Sequence, residues 1–151
     1  MIFIASDHRG YNLKEKVKLW LAEWNQEFED LGNDRLDPED DYPDFAILVV
    51  RRVKERESER TEEKVLGVVI CGSGVGVDIA ANRSAGVRCG LGFSVEQIKK
   101  AREDDDINCL ALAADFLDEE TAKNIVKTFL GTEFSSEEEK KRRIEKLDRL
   151  D

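Results

Sequence analysis

Short apolar runs alternating with stretches of helical periodicity predict an α/β fold. The expected form is a three-layer α/β/α sandwich around a five-stranded, mostly parallel, Rossmann-like sheet, with a C-terminal helix extending from it. Two observations sharpen this. Residues 66–71, Leu-Gly-Val-Val-Ile-Cys, form a continuous apolar run suited to a strand buried on both faces. The run breaks into Gly72-Ser73-Gly74-Val75-Gly76 and then resumes with Val77, Ala80 and Ala81 on one side of a helix. Strand, glycine loop and helix N-terminus in that order make an anion cradle, because backbone N–H groups converge there and the helix dipole favours negative charge.

The other elements follow in order. Residues 1–5 read as a first strand and residues 6–10, Ser-Asp-His-Arg-Gly, as its terminal loop. Leu13, Val17, Trp20, Leu21 and Trp24 recur at helical spacing, so the two tryptophans are expected in the core. Residues 27–31 read as a short strand near a sheet edge, and residues 32–42 as a polar loop. Pro43 suits the first turn of a helix continued by Phe45, Leu48, Val49 and Val53. The charge run 54–64 reads as a solvated helix end and loop. Residues 86–92 form another apolar strand. Ser94 with Gln97 is a capping box for a helix through Glu103. Asp104, Asp105 and Asp106 break that helix, and residues 107–114 form the last strand. Asp118 starts a helix that Gly131 stops. Ser135 or Ser136 caps a final helix whose narrow seam of Ile144, Leu147 and Leu150 fits against another subunit.

The chain has 151 residues, enough for one domain with a real core, and residues 1–151 are read as a single domain. Hydrophobic residues make up 40% and charged residues 38%, and no apolar run reaches the roughly 20 residues of a membrane helix. No basic segment precedes the first strand, so no signal peptide is expected and the expected location is cytoplasmic. A net charge of -10 argues against nucleic-acid binding and requires a local positive pocket for any anionic substrate. One histidine and three scattered cysteines give no zinc spacing. Cys89 and Cys109, both in apolar runs, read as small buried hydrophobes. The glycine loop is not the dinucleotide pattern and does not follow the first strand, so a nicotinamide cofactor is not expected.

Ligands of such sheets bind outside the carboxyl ends of the strands. Those ends carry residues 6–10, 32–42, 71–76, 93–94 and 115–117, whereas residues 104–106 fall at the opposite edge of their own subunit and reach such a site only across a dimer interface. Cys71 lies where a helix N-terminus favours a thiolate, and it reads equally well as a buried cysteine ending a strand. The adjacent Asp7 and His8 suit proton shuttling on a sugar hydroxyl, or else Asp7 caps the next helix and His8 is surface. Tyr42 either offers its hydroxyl to the same pocket or simply packs.

Taken together, Ser6-Asp7-His8-Arg9-Gly10, Asp41-Tyr42-Pro43-Asp44, Ile70-Cys71-Gly72-Ser73-Gly74-Val75-Gly76, Ile79-Ala80-Ala81-Asn82-Arg83 and Gly86-Val87-Arg88 resemble the ribose-5-phosphate isomerase B and galactose-6-phosphate isomerase family. The resemblance runs in order through nearly the whole chain. It implies aldose–ketose isomerisation of a pentose or hexose phosphate through an enediolate, with no metal or organic cofactor, in a homodimer or dimer-based tetramer or with a paralogous subunit. Carried over, Cys71 is the base. The amides of Gly72, Ser73, Gly74, Val75 and Gly76 hold the enediolate oxygens. Asp7, His8 and Tyr42 bind the sugar or open its ring, and Asn82 joins the substrate-binding set.

The chain departs from the family pattern in one region. Relatives usually carry His-Asn where Asp104 and Asp105 stand, which makes Asp104 the ring-opening candidate and Asp105 a substrate contact. An arginine expected after the last strand is Asp115, and two phosphate-gripping arginines of the final helix correspond to Glu139 and Arg143. Arg9 is the first candidate to compensate, with Arg88, Arg142 and Arg143 as others. Three activities therefore remain open: isomerase of a sugar phosphate, isomerase of a non-phosphorylated sugar, or non-catalytic sugar-phosphate-binding subunit.

Overall fold

The computed structural model describes residues 1–59 and 64–150. Five strands, β1 (Ile2–Ser6), β2 (Phe28–Asp30), β3 (Leu66–Cys71), β4 (Cys89–Gly92) and β5 (Cys109–Ala113), form one sheet in the order β2-β1-β3-β5-β4. Every pairing is parallel, so the sheet is wholly rather than mostly parallel. Six helices join them: α1 (Tyr11–Glu23), α2 (Tyr42–Ser58), α3 (Val75–Asn82), α4 (Val95–Asp105), α5 (Glu119–Gly131) and α6 (Glu138–Leu147).

Alternation along the strands sorts side chains to two cores. Ile2, Ile4, Val68, Ile70, Leu110 and Leu112 meet Leu13, Val17 and Trp20 of α1, Ile98 of α4 and Ile125 and Phe129 of α5. Phe3, Ala5, Val69, Cys71 and Ala111 meet Val49, Val50 and Val53 of α2 and Val77 and Ala81 of α3. Full burial of each large apolar side chain contributes about 1.5–3 kcal/mol, which is what holds helices to both faces. Trp24 packs against the first core beside Trp20. Among the described residues no helix is long and apolar enough to cross a membrane.

Chain direction explains where a site can form. From β1 the chain moves outward to β2, then returns past β1 to β3 and on toward β5 and β4. Connections therefore leave the β1 and β3 carboxyl ends on opposite faces, which opens a crevice there.

Several boundaries differ from the sequence reading. Helix α2 carries residues 54–58 of the charge run, while residues 60–63 lie outside the described residues. Ser94 and Asp118 cap as expected, accepting from the N–H groups of Gln97 and Thr121. Helix α4 continues through Asp104 and Asp105 and stops at Asp106, whose left-handed φ of 46° ends it. Neither Ser135 nor Ser136 caps α6. The Ser135 N–H is tied to the Glu103 carbonyl at 3.0 Å, the chain turns at Ser136 with φ 57°, and Glu137 becomes the cap residue. No α6 residue is buried, and Leu147 stays 49% exposed, so the seam is uncovered in the subunit.

Candidate active site

The crevice between β1 and β3 holds the residues on which the reading turns. Ser6 pairs with Ile70 in parallel register as the last pair of the β1–β3 ladder, so Asp7 and Cys71 are the residues that follow it on the two chains. Neighbouring strands lie about 4.8 Å apart, so these two residues stand side by side. Strand alternation sends Cys71 toward the α2–α3 face. The Asp7 N–H donates to the Ile70 carbonyl at 3.3 Å and fixes the loop there. Cys71 is 4% exposed, its thiol is free, and it packs at the end of β3 against the α2–α3 core.

The loop after Cys71 is shaped by its glycines. Gly74 has φ 72°, a left-handed value that favours glycine, and caps α3. The first intrahelical bond of α3 is Asp78 N–H to the Gly74 carbonyl at 3.1 Å, so the N–H groups of Val75, Gly76 and Val77 precede it. The Val75 N–H leans on the Ser73 hydroxyl at 3.4 Å, a long contact that an anion can replace. A β-carbon on Gly76 would fall 2.8 Å from the Tyr42 ring, so the start of α2 lays Tyr42 directly on this loop. A β-carbon on Gly72 would fall 2.5 Å from Arg9 Nε and 2.6 Å from Asp115 Oδ2. Arg9 and Asp115 form an ion pair across that point.

Electrostatics divide the crevice. Burial pushes the Asp7 carboxyl above its ordinary value, against an opposing hydrogen bond from the Gly10 N–H at 2.9 Å. That bond ties the loop ahead of α1, whose cap residue is Gly10 rather than Asp7. His8 is held by Asp40: its N–H donates to Oδ1 at 2.9 Å and its Nδ1 lies 2.7 Å from the same oxygen. This contact raises the imidazole above its ordinary value. Burial opposes ionisation of Asp40, but bonds from His8 and Asn33 outweigh it and hold Asp40 low. Asn33 is itself fixed through its carbonyl by the fully buried Lys14 at 2.6 Å. A chain of contacts thus runs from α1 through the 32–42 loop to the imidazole. The sequence marks that loop only as polar and does not single out Asp40. Its one signal was an acidic residue beside Asp41 and Tyr42, indistinguishable by type from its neighbours.

Asp7, His8, Arg9, Tyr42, Cys71, Gly72, Ser73, Gly74, Val75 and Gly76 are thus brought together. Four expected residues are not. Asp104 lies in the last turn of α4 at the amino edge of the sheet, where Lys140 of α6 pairs with it at 3.0 Å and holds its carboxyl below the ordinary value. The Asp105 carbonyl accepts from Arg88 Nε at 3.2 Å at the same edge. Arg143 lies on exposed α6 with Glu139 at 3.7 Å. The Asn82 amide donates to the carbonyl and carboxylate of Asp78 and to the Cys89 carbonyl, and its oxygen accepts from the Cys89 N–H at 2.8 Å. Asn82 therefore pins α3 to β4 rather than facing the crevice.

A family model described as Ribose/Galactose Isomerase matches residues 2–147. The chain belongs to this family. A probable ribose-5-phosphate isomerase B of Mycoplasma genitalium is 40% identical over 150 residues, covering 99% of this chain and 95% of that protein. Ribose-5-phosphate isomerase B of Mycobacterium tuberculosis is 34% identical, covering 97% and 86%. The crystal structure of the Mycoplasma genitalium enzyme with bound ribulose-5-phosphate superposes with a TM-score of 0.91 over 98% of this chain and 93% of that one. That of a ribose 5-phosphate isomerase from Thermotoga maritima, 38% identical, gives 0.90 over 99% and 97%. For this family member, the fold and the order of the motifs agree with the expectation from sequence.

Proposed function

We propose that this family member is an aldose–ketose isomerase that interconverts ribose 5-phosphate and ribulose 5-phosphate, with Cys71 as the base. The observation that carries the reading is the adjacency of the β1 and β3 carboxyl ends at the sheet's switch point, where the loop opening at Asp7 follows Ser6, the β1 partner of Ile70, and Cys71 directly precedes the glycine loop and α3. The Cys71 thiolate takes the proton from C2 of the open-chain aldose and returns it to C1. The electron pair passes through an enediolate whose oxygens meet the amides that open α3 and the Ser73 hydroxyl. Asp7, with its proton affinity raised by burial, moves the hydroxyl proton between O2 and O1.

Ring opening falls to His8, the imidazole that Asp40 holds in the loop after β1. Asp104 is paired with Lys140 at the opposite edge of the sheet, away from Cys71 of its own subunit. The Tyr42 hydroxyl completes the sugar's contacts.

The crevice is open to solvent: Val75 and Ile79 of α3 are 47% and 51% exposed, and Phe93 and Phe116 in adjacent loops 67% and 78%. A second copy of the chain covering these groups closes the site, and a homodimer or a tetramer built from it is the assembly of this reading. The test is interconversion of the two sugar phosphates by purified protein. Cys71→Ala is expected to lower kcat by about 10²–10⁴, the range of one general base, while the protein still melts cooperatively. Full activity in Cys71→Ala removes Cys71 as the base, and turnover of free ribose alone replaces the phosphorylated substrate with a free sugar.

A further inference from the structure

The Arg9–Asp115 pair does more than occupy the mouth of the crevice. It lies across the α-carbon of Gly72, one residue from the proposed base. The two partners come from different loops, Arg9 after β1 and Asp115 after β5, and they meet only because β3 runs between those strands. Asp115 is anchored by its backbone, its N–H donating to the Gly72 carbonyl at 3.0 Å. Arg9 is 60% exposed in its side chain and makes its one side-chain hydrogen bond, among the described residues, to Asp115.

Charge makes this arrangement consequential. The chain carries a net -10, and the crevice itself holds Asp7, Asp40 and Asp115 against His8 and Arg9. Arg9 is the permanently charged cation of that set, and a guanidinium takes a phosphate or carboxylate through two parallel N–H bonds. An exposed ion pair contributes little, so a dianion displaces the carboxylate without great cost. After displacement Asp115 remains beside the bound anion, because its backbone is fixed, and repels it.

We propose that Asp115 is a specificity-determining residue, a counter-ion that competes with the anionic end of the substrate for Arg9 and so sets how strongly the enzyme favours phosphorylated over free sugars. The inference rests on the reading of the Cys71 crevice as the sugar site. It adds that the preference for phosphate is held down by a residue of this chain, and that removing the carboxylate releases it.

A double-mutant cycle tests this. Steady-state kinetics with ribose 5-phosphate and with ribose are measured for the wild type, Asp115→Asn, Arg9→Ala and the double variant. Asp115→Asn is expected to lower KM for ribose 5-phosphate about fivefold, which is about 1 kcal/mol at 1.4 kcal/mol per tenfold. The change falls on KM rather than kcat, and KM for ribose stays where it was. Arg9→Ala is expected to raise KM for the phosphate ester and to cancel the gain from Asp115→Asn. A higher KM in Asp115→Asn overturns the proposal, and so does an equal gain with and without Arg9, which is a general field effect.

Calorimetric titration of the same four proteins with inorganic phosphate reads the cycle without turnover. Tighter phosphate binding by Asp115→Asn that depends on Arg9, in a protein with no isomerase activity, upholds the counter-ion and removes the isomerase reading. Unchanged or weaker phosphate binding overturns the counter-ion whatever the activity.

Discussion

His8 is the only histidine in the chain, so its titration reads directly on the site. The contact with Asp40 raises its folded-state pKa above the ordinary 6.5. A raised folded value means the stabilisation from the pair is fully present below the unfolded value and is lost as pH rises through the folded one. Asp40 behaves oppositely. Its depressed value keeps its own contribution present above the ordinary carboxylate range and loses it as pH falls through the lowered value. The pair therefore stabilises most in mildly acidic solution. Asp40→Asn is expected to move the His8 proton NMR midpoint down toward 6.5. The melting-temperature gap between wild type and variant should narrow as pH rises past the wild-type midpoint. An unmoved midpoint would show that the imidazole takes its proton affinity from elsewhere. The sequence made His8 visible because it is a lone titratable group after a strand. It hid Asp40 because pairing through a loop of acidic residues depends on how the loop folds back, and residue type alone does not encode that.

The glycine loop and α3 act as one element, and their sequence carries two separate constraints. At Gly74 the constraint is backbone conformation: φ is 72°, and a β-carbon would approach Leu91 Cδ1 to 2.5 Å and the Leu112 carbonyl carbon to 3.0 Å. Gly74→Ala is expected to destabilise the fold by at least about 1 kcal/mol from the left-handed conformation alone, read as a lower midpoint in urea. At Gly76 the constraint is the neighbour. A β-carbon there meets the Tyr42 ring, which is side chain and 38% exposed, so it swings aside. Gly76→Ala is expected to keep nearly the wild-type urea midpoint while KM for the sugar phosphate rises, because Tyr42 leaves its place over the loop. A midpoint that falls as far as that of Gly74→Ala would show that the ring has no room to move. The strand–loop–helix order was legible because apolar continuity, glycine and helical spacing are all local signals. The start of α6 was not, because Ser135 is tied to Glu103 of α4, a tertiary contact that overrides the local preference of serine for a cap.

At the scale of the molecule, the alternation of strands and helices specified the layers. The strand order and the full parallelism came from packing that no single segment records. The same limit governs Asp104 and Arg143. Their place in the family pattern is legible, but the subunit puts Asp104 against Lys140 and leaves Arg143 on an exposed helix, far along the chain's path from the β1–β3 crevice. A site that uses the opposite edge of the sheet must take it from another copy. In the assembly proposed above, such a copy would sit on the exposed apolar groups. Val75 and Ile79 are one helical turn apart on α3, the helix whose first residues form the anion cradle, so a partner there closes the crevice and excludes water from the enediolate. Ile79→Glu places a charge in that contact while leaving Val77 and Ala81, the buried side of α3, untouched. It is expected to shift sedimentation equilibrium from dimer to monomer and to lower kcat/KM in step with the loss of dimer, with each subunit still melting cooperatively. A wild-type protein that sediments as a monomer while fully active would mean that one subunit's crevice suffices. Ring opening, proton transfer and anion binding would then fall to Cys71, Asp7, His8 and Arg9 of a single subunit.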